Sequence, residues 1–239
     1  MSMTVADICK ATADIVGLPR QASYYGSTNQ NAVKTLQAVG DAGRDVSRGV
    51  DWVVLRREHT FTTDASSSYS LPTYFDRIIN RTIWDRTNYR RLVGPVQPNE
   101  WQMYKSSAVT LPSLNKVFRF AADSSGTKVI EIYPDTDTGN TIAFEYIDQR
   151  HVKSTVGDLQ TEILADTDEF LFDDEVVLAG STWRLLKMLG LSYQTEFQEY
   201  RALLEERRSN DTGGAALSMR LSSVYLGLDP HTPENGFGS

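Results

Sequence analysis

The chain has 239 residues, a formal charge of −7 and 40% apolar content. That length buries a core as one large domain or two small ones, and the composition excludes wholesale disorder. The acidic balance argues against a broad basic surface that wraps nucleic acid, while leaving DNA free to pass nearby. A single cysteine, Cys9, excludes an intrachain disulfide and suits a small buried apolar side chain on the first helix. No basic stretch followed by an apolar core opens the chain. No apolar run approaches the roughly 18–20 residues of a spanning helix, so a soluble protein folded in a cytoplasm, with no membrane partner, is expected.

Thr4 followed by Asp7 predicts a capped helix start, and Val5, Ile8, Ala11 and Ile15 give it an apolar face up to Gly17-Leu18-Pro19. A polar, Tyr-bearing loop spans 20–28. Val33, Leu36, Val39, Gly43, Val46 and Val50 then predict a second helix. Its Gly40 and Gly43 each cost about 1 kcal/mol against Ala, which points to another helix crossing closely and to a helical hairpin. At Trp52 the helical period ends. Short strands are expected at Arg77–Ile83, Tyr89–Val93, Val117–Phe120, Val129–Tyr133 and Ile142–Tyr146, bounded by turn signals at Gly94-Pro95, Ser124–Gly126 and Asp135–Asn140. Pro98–Gln102 reads as one capped helical turn with Trp101 and Tyr104 on one side.

His151 to Gln160 reads as a polar connector. A last, longest helix is expected from near Asp173 to about Arg208, with Gly190 as a point of bending or breakage. Beyond it lies a Gly-, Ser- and Pro-rich tail without a core of its own. Within that tail Leu217, Met219 and Leu221 alternate with polar residues, and Val224, Leu226 and Leu228 with Tyr225 and Gly227. Such spacing suits a strand completed on a partner, and equally a strand on the chain's own β region or an unstructured end.

The segment Leu71–Gln102 is dense in Trp, Tyr, Arg, Asp and Pro. Arg and aromatic side chains dominate protein–protein hot spots, so Arg77, Arg86, Tyr89, Arg90 and Arg91 are the candidate subunit or tail interface. The acidic stretches Asp135–Asp137 and Asp166–Asp174 are their candidate complements. Trp84, Trp101 and Trp183 read as core anchors.

Chemistry is not evident. His59, His151 and His231 stand far apart without companions at ligand spacing, and no phosphate loop, nucleophile elbow or dinucleotide fingerprint occurs. Asp135–Asn140 starts like a calcium loop but lacks the glutamate at the twelfth position, and reads as a hairpin turn. Asp166, Asp168 and Asp173–Glu175 read as caps of the long helix, with cation binding as the alternative. The pairs Glu131/Asp135 and Glu145/Asp148 show no surroundings that raise a carboxyl pKa. No catalytic residue, cofactor or metal is expected.

Leu71-Pro72, Phe75-Asp76, Thr82–Thr87, Gly94-Pro95 and Glu100–Gln102 together resemble head-to-tail adaptor proteins of tailed bacteriophages, including the tail tubular proteins of short-tailed phages. The resemblance continues at Phe144–Tyr146, Ala165–Asp168, Glu175, Gly180, Trp183-Arg184, Lys187, Gly190-Leu191, Tyr193 and Glu199-Tyr200, and covers most of 1–208. It implies an α+β fold: N-terminal helices at 1–52 and C-terminal helices at 161–208 forming one bundle, an inserted β-rich domain at 53–160, and an extended arm at 209–239. It also implies a structural virion protein, made in the host bacterial cytoplasm. Such a protein forms a dodecameric ring between portal and tail, binds a nozzle or other tail protein, and passes DNA without sequence-specific contact. The arm residues Leu217, Met219, Leu221, Val224, Tyr225 and Leu226 would then bind the portal. A different class of function is a β domain that binds a receptor or carbohydrate through Tyr24, Tyr25, Tyr89 and Tyr104.

Overall fold

A computed structural model describes residues 2–64, 66–106, 116–134 and 138–211. The fold is α+β, with five α-helices and several small antiparallel sheets among the described residues. It divides into two compact units. Of the described residues, the first comprises those in 2–59, 71–80 and 144–211, and the second those in 60–70 and 81–143.

Helix α1 (Val5–Val16) opens the first unit. The Thr4 hydroxyl accepts the Asp7 amide and Gly17 closes the helix at φ 78°. Helix α2 (Gln30–Gly49) is capped by Asn29. Gly190, the expected point of bending or breakage, is where the C-terminal helix breaks in two. Helix α4 (Asp174–Met188) ends before Gly190, which holds φ 74°, and α5 (Gln194–Asp211) restarts beyond it. Glycine adopts a left-handed conformation without the clash a β-carbon brings, so the helix ends there and does not continue through. Helix α4 packs against α1, α2 and α5. Thr12 and Ser181 hydroxyls meet at 2.8 Å between α1 and α4. Gly180 on α4 brings the Ala42 methyl within 3.2 Å of where a β-carbon would stand.

That last contact corrects the expected role of the α2 glycines. The close helix crossing uses Gly180, whereas Gly43 makes room for the Phe170 ring. Phe170 belongs to β11 (Glu169–Phe170), which pairs with β9 (Val152–Lys153), itself paired with β10 (Leu159–Gln160). The supposed connector at 151–160 is therefore a hairpin. Val5, Ile8, Val39, Val46, Trp52, Phe170, Phe172, Val176 and Tyr200 are among the buried side chains of one core. Cys9 sits in it, and burial pushes its thiol up to about 12, leaving it a small inert apolar group.

Strand β1 (Arg56–Thr62) and strand β8 (Thr141–Asp148) each run from one unit into the other along the chain. In the first unit β3 (Phe75–Ile78) pairs antiparallel with the end of β8. In the second, β4 (Trp84–Asp85) pairs with its start and with β5 (Arg90–Arg91). The expected strand Arg77–Ile83 is thus split, with Arg81 at φ 66° between its halves. A separate sheet has the order β2 (Ser68–Ser70), β7 (Lys128–Tyr133), β6 (Val117–Ala122). Helix α3 (Pro98–Ser106) continues the expected single turn. It buries Trp101 under the Arg119 guanidinium, 4.6 Å from the ring centre, and edge-on to Tyr133.

Candidate interaction surface

The β4–β5 hairpin is organised from beneath by Asp85, which is 2% exposed. Its carboxylate accepts the amides of Thr87 (3.1 Å) and Asn88 (2.9 Å) and the Asn88 side-chain NH2 (2.9 Å). An aspartate suits this turn because two carboxylate oxygens can accept three donors converging from one loop. The Arg86 amide donates to the Thr141 carbonyl at 2.8 Å, and the Thr141 amide donates back to the Thr87 hydroxyl at 2.9 Å. Tyr89 completes the turn at φ 53°, a conformation a tyrosine holds only where the surroundings fix it. Tyr89 is 70% exposed, and Arg86, Arg90 and Arg91 are exposed around it. A stiff tip thus carries one aromatic ring and three guanidinium groups, which lose little freedom on binding.

Of the five residues expected at an interface, four share this tip. Arg77 does not. It lies in the first unit on β3, where it donates to Asp51 at 2.8 Å, to the Val50 carbonyl at 2.9 Å and to Asp76. It ties β3 to the end of α2. The acidic complement expected at 166–174 is also occupied within the chain. Asp166 accepts the Ser23 hydroxyl at 2.6 Å and the Tyr24 and Tyr25 amides. Burial opposes its charge, yet these donors hold its carboxyl below the usual range. Asp168 accepts the Leu164 and Ala165 amides, Asp174 accepts the Met3 amide, and Asp173 alone caps α4 while pairing with Arg207 at 2.9 Å. The reading of Asp166 and Asp168 as caps of that helix is corrected accordingly.

Asp135–Asp137, the arm residues Leu217, Met219, Leu221, Val224, Tyr225 and Leu226, and His231 lie outside the described residues. Trp84 and Trp183 are half-buried, whereas Trp101 is fully buried. Of the four tyrosines that would form a sugar-stacking platform, Tyr24 is 1% exposed and contributes to the core.

Sequence reasoning missed a groove in the first unit. It has a volume of about 410 Å³ and is lined by Tyr24, Val33, Leu36, Arg44, Ile163 and Phe170 with His151 among them. His151 stacks on Phe170 (6.3 Å, 17° between planes) and Phe172 (6.2 Å, 5°), and its Nδ1 lies 3.0 Å from the Gln149 carbonyl. Burial holds its pKa below the ordinary value. The alternation Phe170-Leu-Phe172 was the available signal, but its partner lies twenty positions upstream in a polar run. Among the described residues no cluster of three or more His, Cys, Asp or Glu side chains has the geometry to hold a metal ion, and no helix is long and apolar enough to cross a membrane.

Residues 3–220 match the family model described as SU10 adaptor protein. The chain belongs to this family. It is accordingly a bacteriophage head-to-tail adaptor, a structural protein of the virion. The match extends across both units and carries the adaptor reading as a whole, not the narrower likeness to tail tubular proteins of short-tailed phages. No curated protein matches the adaptor.

Proposed function

We propose that this adaptor closes into a ring, dodecameric as the resemblance implies, which joins the portal to the tail and continues the DNA channel. The observation that carries the reading is the family match over 3–220. A closed ring needs two different surfaces on each copy, related by a rotation that closes on itself. The stiff Tyr/Arg tip of the β4–β5 hairpin supplies one surface suited to a neighbouring copy or a tail protein. The helices at 1–52 and 161–208 form the bundle of the adaptor, with 53–160 as its inserted domain. The arm meets the portal through Leu217, Met219, Leu221, Val224, Tyr225 and Leu226, whose period-two spacing suits strand addition. The net charge of −7 disfavours trapping DNA that slides through. No catalysis, cofactor or metal enters this mechanism, which is assembly alone, begun in the host bacterial cytoplasm.

Two experiments test the reading. A chain truncated after Asp211 keeps its fold and fails to co-purify with portal protein, whereas normal co-purification refutes the arm assignment. Replacing Arg86 and Arg90 by Glu blocks incorporation into virions, and unchanged incorporation removes the hairpin from the interface.

A further inference from the structure

Each copy carries a knob and a hole. The knob is Tyr89. At 70% exposed it is the most exposed aromatic ring among the described residues, and the pinned β4–β5 turn holds it at φ 53°. A ring already fixed in place loses little freedom on burial, which suits it to anchor a contact. The arginines beside it offer less than their number suggests. Arg86 and Arg90 are engaged within the chain, which leaves Arg91, exposed and in no ion pair among the described residues.

The hole is the groove of the first unit. Its volume of about 410 Å³ takes a phenol ring, and Leu36, Ile163 and Phe170 give it apolar walls. At its rim Tyr25 and Val33 stay 45% and 47% exposed, so apolar surface is left uncovered there. Gln37 also lines it and offers a hydrogen-bond partner to a buried phenol hydroxyl. Two charged side chains complete the lining. Arg44 pairs with Asp41 at 2.8 Å, whereas Glu162 is exposed and acts on His151, which burial keeps uncharged at neutral pH. The charge left to the groove is therefore negative, opposite to that of Arg91.

We propose that Tyr89 of one copy seats in this groove of the next copy, with Arg91 against Glu162. This rests on the ring reading above and names the contact that closes the ring. Knob and hole differ, so the contact is head-to-tail, as cyclic closure requires. The buried ring anchors the contact, while the charge pair at the rim sets register and weakens as salt rises.

The test uses the full chain with portal protein and reads ring formation by mass, with wild type as the reference. Tyr89→Asn removes the ring while keeping a residue that tolerates the left-handed turn, and lowers assembly about tenfold. Arg91→Glu and Glu162→Arg each lower it about tenfold through like-charge juxtaposition. Both in one chain restore it to within about threefold of wild type, because each interface regains opposite charges. Circular dichroism of each variant establishes that it is folded. With p-benzoylphenylalanine in place of Tyr89, irradiation of the assembled ring joins position 89 to peptides holding 33–37 or 161–163 of another copy, seen as a ladder of chain multiples. If wild type assembles but position 89 crosslinks to portal or to another part of the adaptor, the docking is wrong while the ring stands. Unchanged assembly of Tyr89→Asn, or a combined reversal that stays defective, overturns it equally. If wild type does not assemble with portal, the ring reading fails and this contact falls with it.

Discussion

Gly43 and Gly40, one turn apart on α2, respond oppositely to alanine. A β-carbon at Gly43 would stand 2.3 Å from Phe170 Cε1, 2.9 Å from Cζ and 3.1 Å from Cδ1. The ring is 4% exposed and stacked on Phe172 at 5.7 Å and on His151 at 6.3 Å, so displacing it disturbs both contacts. Gly43→Ala gains about 1 kcal/mol of helix propensity. It loses about 1–3 kcal/mol or more to overpacking, and the severity of the 2.3 Å approach places the loss at the upper end. The net is about 1–2 kcal/mol of destabilisation, or about 4 °C in Tm for a chain of this size. At Gly40 a β-carbon meets only Ile163 Cδ1, at an ordinary 3.8 Å, so Gly40→Ala keeps most of its gain of about 1 kcal/mol. Urea unfolding followed by far-ultraviolet circular dichroism measures both. A Gly43→Ala chain as stable as wild type, or a Gly40→Ala chain less stable, would refute the packing argument.

Asp85→Ala removes a carboxylate with three donors, each worth about 1.5–3 kcal/mol when made to a charged group. Because water replaces part of this at a hairpin, the net loss is about 3 kcal/mol, and trypsin then cuts first at Arg86, Arg90 or Arg91. An unchanged digestion course speaks against a pinned tip. His151 is held below its ordinary pKa chiefly by burial, with Arg44 and Arg48 adding to this and the Gln149 carbonyl and Glu162 opposing it. The unfolded chain therefore takes up the proton first, and stability present above about pH 6.5 falls as pH drops toward the folded pKa. His151→Leu flattens the stability curve between pH 7 and 5, and an identical slope in the variant contradicts the assignment. Asp173→Ala removes the α4 cap and one Arg207 partner, costing about 1 kcal/mol. A thermal melt superimposable on wild type excludes that role.

What the sequence made legible follows from how local the signals are. Thr4, Gly17 and the apolar period of α1 act within one or two turns, so that helix was readable from end to end. Gly190 marked the break in the C-terminal helix for the same reason. The strands were overrun at Arg81 and Tyr89, where a non-glycine residue takes positive φ under constraint from elsewhere in the fold and leaves no compositional mark. His151 was unreadable as a core residue because its aromatic neighbours Phe170 and Phe172 come from another strand and the loop that follows it. Asp166 was misassigned to a nearby helix because its true partners, at 23–25, are far away in sequence. Of the candidate interface, the hairpin residues were readable by type and not by arrangement. Arg77 shares their composition yet spends its guanidinium on Asp51, Asp76 and Val50.

The central claim, that this adaptor assembles into a ring on the portal, is tested most directly by its mass in solution with and without portal protein. The account predicts a monomeric or weakly associated chain alone and a multimer with a fixed number of copies when portal is present. A chain that stays monomeric in the presence of assembled portal would contradict it.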